Sequence, residues 1–335
     1  MYKAKHYSAS EDRYQAGMKY RRCGETGIRL PAVSLGLWQN FGDVAPLERS
    51  RDIILTAFDK GICNFDLANN YGPSFGSAES TFGQVFESDL KHYREELFIS
   101  TKAGYDMYPG LYGNGGSRKY LMNSLDDSLR RMNLDYVDVF YSHRYDPETP
   151  LEETMQALVD IVRSGKAIYA GISNYPTEVA RKAMAYLEER DVHCILHQCK
   201  YNMLHRVPEE TGLLDQAREN GTGFIAFSPL AQGLLTGRYL DGKVPAGSRA
   251  SVNYSLKESN ITPELVAKLN ALNEIAAKRG QSLAQMALAW VLRDPVVASV
   301  IVGASSVAQL EDNMKAVQNL EFTQEELIAI DNLCK

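Results

Sequence analysis

The chain of 335 residues has no apolar run near the roughly 18 to 20 residues a membrane-spanning helix needs. Basic stretches are also missing. Lys and Arg number 36 against 42 Asp and Glu, a formal net charge of −6, so a nucleic-acid partner held by phosphate contacts is not expected. The five cysteines, Cys23, Cys63, Cys194, Cys199 and Cys334, are odd in number and scattered, with no Cys-x-x-Cys pair. A disulfide framework is therefore not expected, and a reduced, cytoplasmic compartment is. Met1-Tyr2-Lys3-Ala4-Lys5-His6 leads into polar residues rather than the apolar segment of a signal peptide. Low-complexity tracts and linkers are lacking too. What is present, 44% hydrophobic and 23% charged residues, is the balance of a globular protein with a sizeable core.

Eight short apolar runs punctuate the chain: 32–37, 62–66, 97–102, 137–143, 167–173, 194–198, 223–228 and 298–303. Their length and β-branched or aromatic content suit parallel strands buried on both faces. Between them lie helical periods. Thr149-Pro150-Leu151-Glu152 reads as a capping box, after which Leu151, Met155, Leu158, Val159 and Val162 line one face and Gly165 closes the helix. Thr262-Pro263 opens a helix that Gly280 ends, and Thr323-Gln324-Glu325-Glu326 caps the last.

Eight strands alternating with helices predict a (β/α)8 TIM barrel, with a long excursion after the seventh strand. A doubly wound sheet is the alternative. The first strand, however, is followed by Gly36-Leu37-Trp38-Gln39-Asn40-Phe41-Gly42, which has no G-x-G-x-x-G fingerprint. Residues 1–18 are polar and aperiodic and are taken as an N-terminal arm, leaving 19–335 as a single barrel domain. Met18 to Leu30, with turn signals at Gly24 and Gly27, reads as a hairpin closing the barrel's lower end.

A barrel of this kind carries its chemistry at the C-terminal ends of the strands. Asp66 ends the second strand, with Tyr71 five residues on; Lys102 ends the third and His143 the fourth. Singly, each has an ordinary structural reading as cap, loop anchor or solvent-facing group. Together they suit proton donation to a carbonyl oxygen. An Asp66–Lys102 ion pair would fix an ammonium near the Tyr71 phenol and lower its pKa, while His143 would orient the carbonyl. No side chain supplies a hydride, so a nicotinamide is implied.

At these positions the sequence resembles the aldo-keto reductase superfamily over about residues 18–335. Residues 61–72 look like the segment bearing its aspartate and tyrosine. Ile99-Ser100-Thr101-Lys102 matches its lysine strand, and Tyr141-Ser142-His143 its histidine strand. The resemblance assigns Asp66, Tyr71, Lys102 and His143 as the catalytic tetrad, with Tyr71 the general acid. Residues 34–38, 149–154, 228–233 and 303–305 resemble the branch of bacterial L-glyceraldehyde 3-phosphate reductases and voltage-gated potassium channel β subunits. The reductases are the closer likeness, since the channel subunits usually carry asparagine where His143 stands.

The resemblance also implies NADP(H) and its contacts. Ser173, Asn174 and Gln198 match the nicotinamide carboxamide ligands, and Phe227 the aromatic against the ring. Ser228, Pro229, Leu230, Gln232 and Gly233 match the pyrophosphate loop, with Arg238 and Arg249 beyond it. Gly303, Ser305, Gln309, Asp312 and Asn313 match the adenosine end. Arg249 with Ser305 suits a 2′-phosphate. The channel-like pattern has glutamate where Asp312 stands. Spacing alone would make Gln309 and Asn313 a solvent-facing i, i+4 pair.

The expected activity is reduction of small aldehydes, L-glyceraldehyde 3-phosphate or methylglyoxal among them. The alternative is a redox-sensing regulatory subunit with slow turnover. A homo-oligomer, tetrameric or larger, is implied by resemblance alone. On the substrate side, Trp38 is expected to wall the pocket, with Phe41, Phe75 and Tyr108 nearby. The glycine-rich loop 110–119, ending at the Ser117 cap, suggests an anion site served by Arg118 or Lys119. Cys194-x-x-His197-x-Cys199 lacks a second ligand cluster, so no metal is expected. A Schiff-base role for Lys102 conflicts with its being salt-bridged and protonated.

Overall fold

Apolar runs that cannot tolerate water on either face need helices on one side and one another on the other, and a closed barrel satisfies both. A computed structural model describes residues 7–252 and 256–334. A two-stranded antiparallel hairpin comes first, β1 (Tyr20–Arg22) and β2 (Arg29–Pro31). The barrel strands follow: β3 (Val33–Gly36), β4 (Asn64–Asp66), β5 (Phe98–Ala103), β6 (Val137–Ser142), β7 (Ala167–Ser173), β8 (Cys194–Lys200), β9 (Gly223–Phe227) and β10 (Val297–Val302). They pair in parallel in chain order, and β10 closes the ring between β9 and β3. All eight predicted runs are strands, and the fold is the (β/α)8 barrel.

The outer layer consists of α1 (Leu47–Asp59), α2 (Ser77–Val85), α3 (Arg118–Met132), α4 (Leu151–Arg163), α5 (Thr177–Glu188), α6 (Val207–Glu210) and α7 (Leu213–Glu219). The excursion after β9 holds a short α8 (Arg249–Val252), then α9 (Pro263–Lys278) and α10 (Leu283–Val291); α11 (Val307–Met314) and α12 (Gln324–Cys334) complete the chain. No helix among the described residues is long and apolar enough to cross a membrane. Most expected caps are present. Ser117 accepts from the Tyr120 amide at 3.3 Å, and Thr323 and Glu326 cap each other reciprocally at 3.2 and 2.8 Å. The capping box at 149–152 is not. Pro150 is the N-cap of α4, and the Thr149 hydroxyl donates to Asp146 at 2.7 Å instead.

The hairpin covers the N-terminal end of the barrel. The Glu25 amide donates to the Gly221 carbonyl at 2.8 Å, and Cys23 Sγ lies 3.2 Å from the Ile195 carbonyl. Cys23 and Leu30 join Val139, Tyr141, Leu196 and Ile225 in a small apolar cluster, while a larger one fills the space between strands and helices. Ahead of the hairpin, Tyr7 donates to Asp59 at 2.7 Å and Arg13 pairs with Glu96 at 2.6 Å, so this segment lies on the outer shell. The opposite end of the barrel carries the C-terminal ends of the strands, Asp66 of β4 among them.

Candidate active site

Register brings the polar strand ends together. Asp66 closes β4 beside Ser100 of β5, and Lys102 stands two residues further along β5 on the same face. Lys102 Nζ is 2.7 Å from Asp66 Oδ2, with Lys102 fully buried and Asp66 2% exposed. The ammonium also donates to the Leu67 carbonyl. Asp66 Oδ1 accepts from Ser100 Oγ and from Gln198 Nε2, each at 2.9 Å. The carboxylate is therefore satisfied on both oxygens.

Over this pair lie the two other members. Lys102 Nζ is 4.9 Å from the Tyr71 ring centroid, and the Tyr71 and His143 rings are 5.9 Å apart at 70°. Loss of hydration raises the Tyr71 pKa well above its ordinary value of 10, with the Asp66 carboxylate and Tyr105 adding to it. This reverses the expected direction. The Lys102 charge is matched by Asp66 at 2.7 Å, so little net positive field reaches the phenol and desolvation prevails. Burial also lowers the Lys102 pKa, against the opposing pull of Asp66. Burial, helped by Lys102 and Arg144, drives the His143 pKa well below 6.5. The imidazole is neutral at pH 7, and its buried Nδ1 has no partner.

Around the tetrad, Asn174 has φ of 56° and donates to the His143 carbonyl at 3.1 Å and to Ser173 Oγ at 3.0 Å. Gln198 spends an amide proton on Asp66. Phe227 ends β9, half-buried, and the chain then turns through Ser228, Pro229 and Leu230. Ser228, Ala231 and Gln232 all have positive φ (51°, 47° and 60°), a concentration of left-handed non-glycine residues that a bare connection would not need. Gly233 ends this turn, and Arg238 beyond it is exposed.

Gly303 and Ser305 follow β10 and are exposed; Ser305 donates to Gln309 from both its amide and its hydroxyl at 2.9 Å. Asp312 accepts from Gln285 at 2.8 Å. Asn313 is not the solvent-facing residue its spacing suggested, being 3% exposed. Among the described residues, Gln232 Oε1, Arg249 Nη1 and Asn313 Nδ2 are buried without a partner. Buried polar groups are normally bonded, so these orphans fit a polar ligand reached by the segments after β9 and β10. A nicotinamide dinucleotide fits that description.

On the substrate side, Trp38 is 36% exposed with its ring 6.4 Å from that of Tyr71. Phe41 is fully buried in the core, whereas Phe75 and Tyr108 are exposed. The amides of Gly115, Gly116 and Arg118 donate to Asn114, Asp146 and Glu153, and the Arg118 guanidinium pairs with Asp160 on α4. In loop 110–119 the three amides and the Arg118 guanidinium are thus committed within the protein, whereas the Lys119 ammonium lies over the Tyr112 ring at 4.9 Å. Sequence reasoning missed Ser100, whose position two residues before Lys102 on one strand face was the available signal. It also missed Tyr105, which packs edge-on against His143 with centroids 4.7 Å apart. No sequence signal marked that contact.

The pattern of the Aldo/keto reductase family matches residues 32–335. The chain belongs to that family. Among its relatives, an L-glyceraldehyde 3-phosphate reductase of Escherichia coli O157:H7 is 55% identical over 328 residues, spanning 96% of this chain and 94% of that one. A probable voltage-gated potassium channel subunit beta of Arabidopsis thaliana is 36% identical over 303 residues, spanning 90% and 91%. A crystal structure of a thermostable aldo-keto reductase with the inhibitor epalrestat superposes with a TM-score of 0.73 at 29% identity, covering 94% of this chain and all of that one. Membership makes this chain an oxidoreductase acting on small carbonyl compounds.

Proposed function

We propose that this aldo-keto reductase is an NADPH-dependent carbonyl reductase of small aldehydes, with Tyr71 as the general acid. The buried Asp66–Lys102 pair beneath Tyr71 and His143 is the observation that carries the reading. A nicotinamide, when bound, would supply the hydride for the carbonyl carbon. Tyr71 is protonated throughout the neutral range, so it has a proton to give the oxygen as alkoxide character develops. Lys102, locked by Asp66 and the Leu67 carbonyl, is held 4.9 Å from the Tyr71 ring centroid, and with its charge largely matched by Asp66 its part is to hold the pair in place beneath the phenol. Neutral His143 offers a ring N–H to the same oxygen and adds no second charge.

For the cofactor, Ser173, Asn174 and Gln198 would hold the carboxamide, Ser228 to Gly233 the pyrophosphate, and Asn313 and Gln309 the adenine end. Arg249 and Ser305 would serve a 2′-phosphate, as the resemblance implies, and that expectation is the reason for preferring NADPH. The 55% identity to a protein named L-glyceraldehyde 3-phosphate reductase supports a triose phosphate as substrate, with methylglyoxal a smaller alternative. Tyr71→Phe tests the reading. It is expected to lower kcat for aldehyde reduction on the order of 10²–10⁴-fold while NADPH affinity, measured by fluorescence titration, stays close to the parent. Near-normal turnover in that variant would remove Tyr71 from the role.

The 36% identity to a channel β subunit favours one second reading, a redox-sensing NADP(H)-binding subunit. Multiple turnovers of NADPH with glyceraldehyde support the reductase; oxidation of one bound equivalent and no more supports the sensor.

A further inference from the structure

Two rings next to the tetrad each carry a guanidinium. Arg249 lies over Trp38 at 4.9 Å, and Arg144 lies over Tyr105 at 5.0 Å, the ring packed on His143. Arg249 belongs to the proposed cofactor contacts, whereas Arg144 has no part in them. Arg144 follows His143 directly in the chain, so a short backbone step links its position to that of the imidazole. Its Nε donates to the Gly104 carbonyl at 2.8 Å and its Nη2 to Asn114 Oδ1 at 2.6 Å. Those two bonds fix the guanidinium plane and leave Nη1 without a partner among the described residues. No carboxylate among them pairs with it either.

A half-buried cation already oriented, whose charge is felt by the Asp146 carboxylate without an ion pair to it, is suited to an external anion. Of the two basic groups of loop 110–119, Arg118 is paired with Asp160 and the Lys119 ammonium lies over the Tyr112 ring at 4.9 Å. The Gly115, Gly116 and Arg118 amides are bonded internally. The influence of Arg144 reaches the imidazole, where its charge helps keep His143 neutral.

We propose that Arg144 determines substrate specificity by binding the phosphate of a small phosphorylated aldehyde whose carbonyl oxygen lies at Tyr71 and His143. The proposal deepens the carbonyl-reductase reading and rests on it. Guanidinium and phosphate form directed, charge-assisted bonds, and one free Nη edge suffices for them.

The test compares glyceraldehyde 3-phosphate with glyceraldehyde in wild type, Arg144→Met, Arg144→Lys and Arg118→Ala. Arg144→Met is expected to lower the ratio of kcat/KM for the phosphorylated over the unphosphorylated aldehyde by about 10- to 100-fold, mainly through KM. Arg144→Lys should recover part of it, because the charge remains without the planar fork. Inorganic phosphate, as a competitive inhibitor of glyceraldehyde reduction, should weaken by a similar factor in Arg144→Met. Arg118→Ala should leave the ratio within about 2-fold of wild type. Equal losses on both aldehydes, unchanged phosphate inhibition, or a selective loss in Arg118→Ala each overturn the assignment to Arg144. Failure of the wild type to reduce either aldehyde would instead strike the reductase reading beneath it.

Discussion

Lys102 has no exposed surface, and the carboxylate it neutralises has two further donors, Ser100 and Gln198, both uncharged. Removing the ammonium therefore leaves a buried acid with hydrogen bonds but no counter-charge. Lys102→Met is expected to cost about 3–5 kcal/mol of unfolding free energy, and adding Asp66→Asn should return part of that loss. Urea midpoints for the single and double variants check it, and strictly additive losses would deny the coupling. The partners in this pair were legible in the sequence because both stand at strand ends, where a barrel gathers its polar groups. The pKa of Tyr71 was not. Its direction depends on whether the Lys102 charge or the loss of water dominates at the phenol, and only three-dimensional placement shows that Asp66 cancels the first. Arg118 shows the same limit. A basic residue at a helix start resembles an anion ligand until Asp160, 42 residues later, is seen to hold it.

Strands were easy to read and helix junctions were not. A parallel barrel strand is buried on both faces, so its apolar run is continuous; β7 spans residues 167–173 as expected. Close approach of two helices leaves a weaker mark. Gly83 on α2 reads as a poor helix residue, yet a Cβ there would stand 2.2 Å from the Arg131 carbonyl oxygen and 2.8 Å from Met132 Cα on α3. In an open helix Gly→Ala is worth roughly 1 kcal/mol in favour of alanine. Here the obstacle is backbone, which cannot swing aside as a side chain can, so overpacking outweighs propensity. Gly83→Ala is expected to lose about 1–3 kcal/mol, read from the urea midpoint. A stabilised variant would mean that α2 and α3 are further apart than described. The same close packing explains why Thr149 failed as a cap. Asp146 also accepts from the Gly116 amide in the neighbouring loop, and tertiary partners outrank the local box.

At the scale of the whole molecule, the net charge of −6 says little about behaviour in acid, because what counts is which groups change their pKa on unfolding, two buried histidines among them. His197 lies fully buried on β8, with Nε2 3.2 Å from Cys199 Sγ and Nδ1 without a partner. Burial lowers its pKa to about 3, and the His143 pKa falls well below 6.5 as well. Once unfolded, both imidazoles titrate near 6.5. Between that value and about 3 the unfolded chain therefore binds protons at positions where the folded chain does not. Stability must rise with pH across this window and fall as acid is added. The melting temperature is expected to drop progressively below pH 6.5, with little contribution from these groups above it. His197→Leu removes one of the two titrations while keeping an apolar side chain of similar size, so its melting temperature should fall less steeply between pH 6.5 and 4. Calorimetry across that range checks the slope, and an equally steep fall in the variant would show that His197 takes up its proton while still folded.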